Sequence, residues 1–457
     1  MAKDLRSFLG QLKAAGELLE IEEELGITFE IPAAIREIDK RVGKAAYFSR
    51  PKGHTIPIVA NLLGQKKRLA LALGVEEEGL IEEYFRRRQN LTKPTLVADA
   101  PVKEVIINKD ISISKTIPVL THHQRDAGPY FTSAVTMAKD PETGIRGMGL
   151  HRIQVKDDDT IGIFLATPPL SHFLKRAEEQ GRPLEIAVAV GMDPITFFAS
   201  VIWAPQGIDK FDIAGGLKGS PIELVKAESV DLEVPARAEF VLEGYIIPHK
   251  RDKEGPFGES TGYYFSFDNP VGKIKLISHR KDPIYHALMP FSSEETVLLD
   301  LSWELDNLKV IQTAFPNVMR MHLQALGEIM LIQIAKDSEE DARKIFHYLF
   351  PVNPFVKLAI VVDADVDIYD PREIAWAVAT RCRPNCDITI MEDMPGVMID
   401  PSTSGGERTD DLALLITHTA KMGIDATKPL NELDRYEKIA VPEHIKEKVQ
   451  TLIKKYV

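Results

Sequence analysis

The first hundred residues carry hydrophobic positions at the spacings of amphipathic helices and short buried strands. In DLRSFLGQLKAAGELLEI, Leu5, Phe8, Leu9 and Leu12 form one helical stripe, and Asp4 can cap its start. The segments EIPAAIREIDKRV and LIEEYFRRRQN have the same helical period, whereas IPIVANLL is a continuous apolar run typical of a buried strand. The pattern predicts a mixed α/β region that extends to about residue 110.

Between residues 115 and 290 the pattern changes to short β-rich runs separated by turns rich in Gly, Pro and Asp. Two segments with helical spacing, SHFLKRAEEQG and DPITFFASVI, interrupt these runs. Many short strands with few helices indicate a barrel-like or sandwich-like sheet. The predicted strands are FTSAVTMA, LHRIQVK, TIGIFLA, LEIAVAVG, AEFVLEGYII and KIKLISHR.

A single long helix is predicted over SEETVLLDLSWELDNLKVIQTAF, which ends before Pro316. The pattern then alternates strand and helix, with Ser338 and Asp370 as expected N-caps and Pro371 as a first helical residue. This β-α-β-α-β order predicts a parallel or mixed sheet covered by helices. The tail PEHIKEKVQTLIKKYV has the pattern of a final amphipathic helix.

Together these elements predict an α/β (α+β) chain of several domains. A chain of 457 residues is too long for one compact core, which agrees with two or three domains. The expected units are an N-terminal α/β region (1–110), a β-rich central domain (111–292), a linker helix with its connection (293–326) and a C-terminal α/β domain (327–457).

Charge and composition exclude several classes of protein. The net charge is −12, from 56 Lys and Arg against 68 Asp and Glu, which disfavours nucleic acid as the main partner. The chain has no run of about 18 apolar residues, and its start, MAKDLRSFLGQL, lacks the apolar core of a secretion signal. Two cysteines, Cys382 and Cys386, are too few for a disulfide framework. We therefore expect a cytoplasmic protein with no membrane span and with reduced thiols.

The stretch KEGPFGESTGYY is open to three interpretations. Its GESTG part fits G-x-S-x-G, in which Ser260 would be a nucleophile, but the residues that follow are aromatic and turn-rich, whereas that motif requires a helix. A turn at Gly255 and Pro256 could instead bring Glu254 and Glu259 together, and two neighbouring carboxylates can share one proton near neutral pH. The third interpretation is a hairpin flanked by two solvated glutamates.

Other motifs carry less chemical information. DADVDIYD fails as an EF-hand loop because Ile368 stands where that loop requires glycine, and it fits the end of a strand followed by a helix cap. The adjacent His122 and His123 cannot both reach one metal ion in an extended segment, which favours roles in a loop or behind a site. AGGLKGSP, which precedes a predicted helix, could place backbone N–H groups against an anion.

Seven segments, spread over nearly the whole chain, form a more specific combination. They are HQRDAGPYFTSAVTMAKDPETG, GMGLHRIQV, PARAEFVLEG, EGPFGESTGYY, DPIYHALMP, DPREIAWAVATR and KMGIDATKP. Their order resembles that of the UbiD-type decarboxylases, which use prenylated FMN. EGPFGE combined with the upstream DPETG and HR segments is the most specific part of this resemblance.

The resemblance implies both a fold and a reaction. It implies a split-barrel-like flavin-binding domain in the middle of the chain and a C-terminal α/β domain used in oligomerisation, joined by the long helix. The implied reaction is the reversible, non-oxidative loss of CO2 from an α,β-unsaturated or (hetero)aromatic carboxylic acid. The prenylated FMN would form a covalent adduct with the substrate and act as an electron sink, while the protein orients groups and moves protons.

The resemblance also implies roles for three residues. The family's catalytic Glu-Arg-Glu set falls on Glu254, Arg152 and Glu259. Arg152 would hold the substrate carboxylate with its planar guanidinium, and Glu254 would stay ionised beside it. Glu259 would be the general acid that protonates carbon after CO2 leaves, and the base in the reverse reaction.

Cofactor and metal ligands are implied in the same way. The family holds the flavin phosphate through a divalent ion, typically Mn2+, with K+ nearby, and two of the three protein ligands fall on His172 and Glu239. The third ligand, an asparagine, is replaced by Gly147, so the metal site departs from the family pattern. The implied cofactor-binding residues are Leu150, His151, Arg152, His172, Ser220, Pro221, Glu239 and Lys421.

The expected partners are a small carboxylic acid, CO2, a flavin prenyltransferase that supplies the cofactor, and further copies of the chain in a homodimer or hexamer. One alternative is a non-catalytic subunit of a multi-chain UbiD-like carboxylase, and a remote alternative is a serine hydrolase that uses Ser260. The polar stretch MPFSSEET, expected near the pocket, favours a polar or hydroxylated substrate.

Overall fold

The structure is a computed structural model of the chain and describes residues 2–98, 100–205, 207–409 and 412–453. The helices are α1 (Leu5–Ala14), α2 (Glu30–Arg41), α3 (Lys66–Leu73), α4 (Leu80–Arg88), α5 (Ile113–Thr116), α6 (Leu170–Glu179), α7 (Pro194–Ala199), α8 (Lys210–Lys218), α9 (Ser293–Ala314), α10 (Asp341–Leu349), α11 (Pro371–Arg381) and α12 (Glu443–Ile453). The strands are β1 (Leu18–Ile21), β2 (Ala45–Phe48), β3 (Ile58–Ala60), β4 (Thr95–Leu96), β5 (Val105–Ile107), β6 (Tyr130–Phe131), β7 (Val135–Lys139), β8 (Arg146–Leu150), β9 (Ile153–Val155), β10 (Thr160–Ile163), β11 (Leu184–Val190), β12 (Glu223–Lys226), β13 (Glu233–Pro235), β14 (Phe240–Gly258), β15 (Tyr264–His279), β16 (Tyr285–Ala287), β17 (Val318–Gln324), β18 (Ile329–Ile334), β19 (Leu358–Asp363), β20 (Ile388–Val397), β21 (Ser404–Thr409) and β22 (Leu412–Ala426).

The N-terminal elements form a four-stranded sheet in the order β1-β2-β3-β16, to which β16 returns from a much later part of the chain. α1 lies against β1 and α3, and its predicted stripe of Leu5, Phe8 and Leu12 is fully buried. Asp4 caps this helix by accepting the Ser7 N–H at 2.9 Å. α2 and α4 lie where their patterns predicted them.

The central sheet is an open path of strands in the order β6-β9-β10-β15-β14-β11-β7-β8, with β5 paired to β15. Its order does not close into a barrel, and the long antiparallel hairpin of β14 and β15 lies in its middle. One buried apolar cluster joins Ile31 and Phe48 of the N-terminal elements to Phe131 and Leu242 of the central sheet. The two regions therefore share a core.

The turn of the β14–β15 hairpin lies further along the chain than predicted. Gly255 and Pro256 are inside β14, where a register shift after Glu254 forms a bulge. Glycine is required at position 255 because its φ is 107° and a Cβ would come within 2.6 Å of a β15 carbonyl oxygen. The chain reverses direction just beyond β14, where the Glu259 N–H donates to the Tyr263 carbonyl at 2.8 Å.

α9 is the long helix that the sequence predicted, and it leads from the central sheet to the last sheet. That sheet has the order β17-β18-β19-β22-β20, with β21 paired to β22. β18, β19 and β22 are parallel to one another, whereas β17, β20 and β21 are antiparallel to their partners. No strand was predicted at β22, which lies between β19 and β20 in this sheet.

Two local predictions were wrong. α10 begins at Asp341 with Glu340 at its N-cap position, and the predicted cap, Ser338, instead accepts the Glu340 N–H through its Oγ at 3.3 Å. AGGLKGSP does not precede a helix, because most of it is the end of α8, which stops at Gly219 in a left-handed conformation. The N–H groups of this segment are therefore used inside the helix. Asp370 does cap α11, as predicted.

The end of the chain folds as its pattern predicted, since α12 occupies most of the tail. Cys382 and Cys386 are free thiols. Within the four described ranges, no helix combines the length and the apolar character that a membrane crossing needs.

Phe346 tests the packing of α10 against β22. It is 1% exposed, and a methyl group on the β22 residue Gly423 would overlap its ring. We expect Phe346→Ala to lower the free energy of unfolding of the C-terminal domain by about 3–5 kcal/mol, measured by chemical denaturation. Lys344→Ala, on the exposed face of the same helix, should change it by less than about 0.5 kcal/mol. Equal stability of the two variants would contradict this packing.

Candidate active site

The β14–β15 hairpin carries both predicted glutamates. Glu254 lies in β14 opposite Phe267 of β15, immediately before the bulge, and Glu259 lies at the start of the turn. In a regular strand, residues five apart would face opposite sides of the sheet. The bulge changes the alternation of side chains, so that both glutamates face Arg152.

Arg152, in the short connection between β8 and β9, binds both carboxylates. Its Nη2 donates to Glu254 Oε2 at 2.7 Å, and its Nη1 contacts Glu259 Oε1. Arg152 is 9% exposed, Glu254 is 0% exposed and Glu259 is 8% exposed. Burial reduces solvent screening, so the guanidinium interacts strongly with both glutamates. Its single positive charge can balance only one ionised carboxylate.

Asn269 and three aromatic rings complete the surroundings of Arg152. Asn269 Nδ2 donates to Glu254 Oε2 at 2.9 Å, which gives this oxygen a second donor. The guanidinium carbon lies 4.4 Å from the ring centre of Phe164, and rings of β14 and β15 lie 5.1 and 5.7 Å away. These rings stabilise the cation and exclude water.

Two polar side chains beside the ring of Phe257 indicate that a ligand completes the site. Burial, and then the charge of Glu254, raises the pKa of Tyr130 far above its usual range, so its hydroxyl keeps its proton. The His122 ring packs edge-to-face on Phe257 at 6.4 Å, and burial lowers the pKa of His122 to about 3. Neither His122 nitrogen has a hydrogen-bond partner in the described part of the chain. Buried polar atoms are normally paired, so a polar ligand fits here.

Asp126 connects the two histidines to the hairpin. Its Oδ2 accepts the His123 N–H at 2.8 Å, and its Oδ1 accepts the Gly258 N–H at 2.9 Å. Burial raises the pKa of the Asp126 carboxyl, but the His123 side chain and these two N–H groups outweigh that effect and lower it. His123 Nε2 lies 2.9 Å from Arg36 Nη2. His122 and His123 therefore belong to a loop that supports the end of β14, as the sequence favoured.

Leu150 and His151 lie immediately before Arg152, at the end of β8. Burial, and then the charge of Lys210, lowers the pKa of His151 to about 3, so this ring is neutral. Lys210 begins α8 and donates to the Ser200 carbonyl at 2.6 Å, and burial lowers the pKa of Lys210 to about 8. The sequence did not indicate Lys210, because a lysine that follows a helix cap is usually solvated.

The other predicted cofactor contacts lie on separate elements. Ser220 and Pro221 are exposed between α8 and β12, and His172 is exposed on α6. Lys421 is buried in β22, where its Nζ contacts the Asn353 carbonyl and burial lowers the pKa of Lys421 to about 8. None of these four residues is among the contacts around Arg152 described above.

Glu239 and position 147 do not fit the implied divalent metal site. Both oxygens of Glu239 accept hydrogen bonds from the Arg6 guanidinium at 2.9 Å, so a metal ion would have to displace a cation. At position 147 any side chain would overlap Pro169 and Phe173, which leaves no room for an asparagine-like ligand. Within the ranges that the structure covers, no three His, Cys, Asp or Glu side chains are grouped to hold a metal ion.

Ser260 lacks the surroundings of a nucleophile. Its Oγ donates a hydrogen bond to Glu295 Oε1 at 2.5 Å. The hydroxyl proton is therefore bound by a carboxylate of α9. The next element is strand β15, whereas a nucleophile elbow leads into a helix. The structure does not support the hydrolase alternative.

Three family models match successive parts of the chain. All three describe 3-octaprenyl-4-hydroxybenzoate carboxy-lyase: its N-terminal domain matches residues 9–88, its Rift-related domain residues 95–293 and its C-terminal domain residues 296–426. These matches place the chain among the carboxy-lyases. The chain belongs to the UbiD family of decarboxylases.

Individual relatives share nearly the full length of the chain. The anhydromevalonate phosphate decarboxylase of Methanothermobacter thermautotrophicus is 32% identical, over 96% of this chain and 100% of that protein. The phenolic acid decarboxylase of Sedimentibacter hydroxybenzoicus is 34% identical, over 94% of this chain and 92% of that protein. The UbiD-class enzyme HmfF from Pelotomaculum thermopropionicum has been solved in complex with FMN. Its sequence is 39% identical to this chain, and its structure matches with a TM-score of 0.89 over 97% of this chain and 98% of that one.

Removal of the Arg152 charge should destabilise the protein. In Arg152→Met the apolar volume is largely kept, but Glu254 is left buried without a counter-charge, so we expect the free energy of unfolding to fall by about 3–5 kcal/mol. Adding Glu254→Gln removes the unbalanced charge and should restore most of the loss. Chemical denaturation of the single and double variants measures both effects. A fully stable Arg152→Met variant would show that the buried ion pair is placed wrongly.

Proposed function

We propose that this chain catalyses the reversible, non-oxidative decarboxylation of an α,β-unsaturated or (hetero)aromatic carboxylic acid with prenylated FMN as cofactor. The observation that carries the proposal is one buried arginine shared by two buried carboxylates. The relatives support it, because two of them are decarboxylases of phenolic acid and of anhydromevalonate phosphate. An evolved dimeric form of HmfF, 38% identical, has been solved in complex with prFMN.

Arg152 would hold the substrate carboxylate. Its Nε is buried and has no hydrogen-bond partner in the described ranges, so one donor of the guanidinium remains for a ligand. A planar guanidinium suits a planar carboxylate, which can accept its N–H groups side by side. The surrounding phenylalanine rings would keep water away from this pair, which favours conversion of the carboxylate to neutral CO2.

Glu259 would supply the proton. Since one arginine cannot neutralise two buried carboxylates, we assign a proton to one of the glutamates. Glu254 accepts hydrogen bonds from both Arg152 and Asn269, which stabilise its ionised form and leave Glu259 as the acid. When the C–C bond breaks, CO2 leaves, the electron pair stays on the substrate carbon and Glu259 gives that carbon its proton. Glu259 then takes a new proton from solvent.

Prenylated FMN, when bound, would supply the electron sink for this step. Leu150 and His151 flank Arg152 and are proposed cofactor contacts, together with Ser220 and Pro221, which adjoin α8. Lys210 at the start of α8 adds a positive charge near His151, which suits a phosphate. The proposed contacts of His172, Glu239 and Lys421 rest on the family resemblance alone.

We also propose that the chain works as a homodimer or hexamer that receives its cofactor from a flavin prenyltransferase. The apolar face of α12 supports assembly, since Ile445, Val449 and Leu452 are 40%, 46% and 48% exposed. Contiguous apolar surface of this kind is normally covered by a partner. The complete Glu-Arg-Glu arrangement argues against a non-catalytic subunit.

Glu259→Gln should abolish turnover while flavin stays bound, because glutamine keeps the size of the side chain but cannot donate an acidic proton. The enzyme would be produced with a flavin prenyltransferase and assayed for CO2 release from vanillate, 3,4-dihydroxybenzoate and anhydromevalonate phosphate. These acids are chosen from the names of decarboxylases that resemble this chain. We expect a loss of at least about 100-fold in kcat.

The matched control is Glu179→Gln, an identical change at an exposed position of α6, which should keep normal activity. Near-normal turnover of Glu259→Gln with a full complement of flavin would show that another group is the acid. A flavin-free wild-type protein, by absorbance and mass spectrometry, would contradict the proposed cofactor.

A lysine instead of a metal should hold the cofactor phosphate. We expect EDTA treatment and desalting to leave the flavin absorbance per chain unchanged, because Glu239 and position 147 do not fit the implied metal site. Lys210→Met should weaken FMN binding about 10- to 100-fold, as expected for loss of a charged hydrogen bond. Lys226→Met, at an exposed position of β12, is the control. Loss of flavin in EDTA that Mn2+ restores, with normal binding by Lys210→Met, would establish a metal instead.

A further inference from the structure

The turn that carries Glu259 is held from two sides by the hydroxyl groups that follow it. Ser260 Oγ donates to Glu295 Oε1 at 2.5 Å, and Glu295 lies in the first turn of α9. Thr261 Oγ1 donates to the Ile399 carbonyl at 2.8 Å. Ile399 follows β20 in the C-terminal sheet, 138 residues further along the chain. One turn of the central sheet therefore contacts both the linker helix and the C-terminal domain.

Glu295 is a fixed anchor for this turn. It is 8% exposed, and its Oε2 accepts the Phe291 N–H at 2.6 Å. Its own N–H lies 3.4 Å from the Oγ of Ser292, the N-cap of α9. Burial raises the pKa of the Glu295 carboxyl, while the hydrogen bonds from Ser260 and Phe291 oppose that rise. The carboxylate is thus held by α9 itself and by the residues that lead into it.

The Ile399 carbonyl is placed by an ordered turn of the C-terminal domain. The Asp400 N–H donates to the Val397 carbonyl at 3.1 Å, which closes that turn. Asp400 also accepts the Lys357 ammonium at 2.5 Å and the Ser402 N–H at 2.9 Å. Lys357 immediately precedes β19, so the turn is tied to the middle of the C-terminal sheet. A shift of that domain would carry the carbonyl away from Thr261.

Within the turn itself, few bonds fix Glu259. Its N–H donates to the Tyr263 carbonyl at 2.8 Å, and its carbonyl accepts the Gly262 N–H at 2.9 Å. These bonds close the hairpin but do not orient it towards the rest of the protein. Asp126 holds the residue before Glu259 through the Gly258 N–H. Ser260 and Thr261 follow Glu259 directly in the chain, so their outward bonds hold the other side of its backbone relative to Arg152.

We propose that Ser260 and Thr261 are positioning residues that hold the Glu259 turn between α9 and the C-terminal domain. The acid then reaches Arg152 and the substrate only while the C-terminal domain occupies its observed place. The inference rests on the proposed role of Glu259 as the proton donor. In this proposal the Ser260 hydroxyl anchors the turn to Glu295, whereas the G-x-S-x-G pattern would make it a nucleophile.

The test compares holoenzymes of wild type, Thr261→Val and Thr261→Ser. Valine keeps the shape of the side chain but removes the hydroxyl, whereas serine keeps the hydroxyl. We expect Thr261→Val to lower kcat about 10- to 100-fold with KM changed by less than about 3-fold, the effect of a misplaced group. Thr261→Ser should restore most of kcat. The substrate is whichever of vanillate, 3,4-dihydroxybenzoate and anhydromevalonate phosphate the wild type decarboxylates fastest.

Hydrogen–deuterium exchange supplies a readout that does not depend on turnover. The amides of Glu259 and Gly262 should exchange severalfold faster in Thr261→Val than in wild type, with the flavin content unchanged. Ser260→Ala should have the same two effects through loss of the α9 anchor. Thr313→Val is the matched control, because the Thr313 hydroxyl makes a bond of the same kind to the Lys309 carbonyl at 2.8 Å within α9.

The outcomes separate this inference from the proposed function. If Thr261→Val and Ser260→Ala both match Thr313→Val in kcat and in amide exchange, while Glu259→Gln is inactive, the positioning role is overturned and the proposed reaction stands. If Glu259→Gln is active, the acid is misassigned, and faster exchange in Thr261→Val then shows only that the turn is anchored there. Loss of kcat and faster exchange in both hydroxyl variants, with rescue by serine, support the inference.

Discussion

The burial of the Arg152 charge is the constraint on which the site depends. A guanidinium that is 9% exposed has lost most of its hydration and must be compensated by nearby acceptors. Glu254, itself fully buried, provides this compensation, and Asn269 in turn satisfies Glu254. Once this pair is in place, a second carboxylate at Glu259 cannot also be ionised without an unbalanced negative charge. The proposed acid therefore follows from the charge balance around one arginine.

The hairpin brings these charges together across 102 residues of sequence. A regular β14 would separate the glutamates onto two faces, so the bulge at Gly255 is as necessary as the glutamates themselves. Asp126 adds a second restraint, because it fixes the Gly258 N–H one residue before the acid. The apolar core shared by the N-terminal and central elements supplies the rigid base for this hairpin.

Part of this architecture is predictable from sequence and part is not. The stripe of Leu5, Phe8 and Leu12 and the long helix α9 were predicted because hydrophobic periodicity is local. β22 was missed because pairing with β19 depends on contacts between residues more than sixty positions apart. The pairing of Glu254 and Glu259 was one of three interpretations of their stretch, and the addition of Arg152 and the proposed catalytic roles came from the family resemblance. Without the resemblance, Arg152 would have been assigned to a strand surface. Only the structure shows the bulge that joins the trio.

The metal assignment also shows that a local sequence does not reveal the surroundings of a side chain. Glu239 has the residue type of a metal ligand, but its burial with Arg6 makes it half of an ion pair, and that pairing cannot be read from the sequence around either residue. Conversely, nothing in the sequence around Lys210 indicated a role, yet Lys210 lies near His151, where burial lowers its pKa to about 8 and its charge lowers the pKa of His151. In both cases the environment, set by distant segments, decides what a side chain can bind.

Charge balance also links substrate binding to the proton in the proposed reaction. With Glu254 ionised and Glu259 protonated, the trio is neutral, and an incoming carboxylate meets Arg152 without net repulsion. With both glutamates ionised, the trio carries one negative charge, which opposes the same substrate. By linkage, a bound substrate carboxylate favours the state in which Glu259 holds its proton. Glu259 would thus be protonated, and able to act as the acid, when the substrate carboxylate is bound. CO2 leaves as a neutral molecule, so the negative charge stays on the substrate carbon until Glu259 protonates it. The charge is then on Glu259, which can remain ionised beside Arg152 until solvent returns the proton.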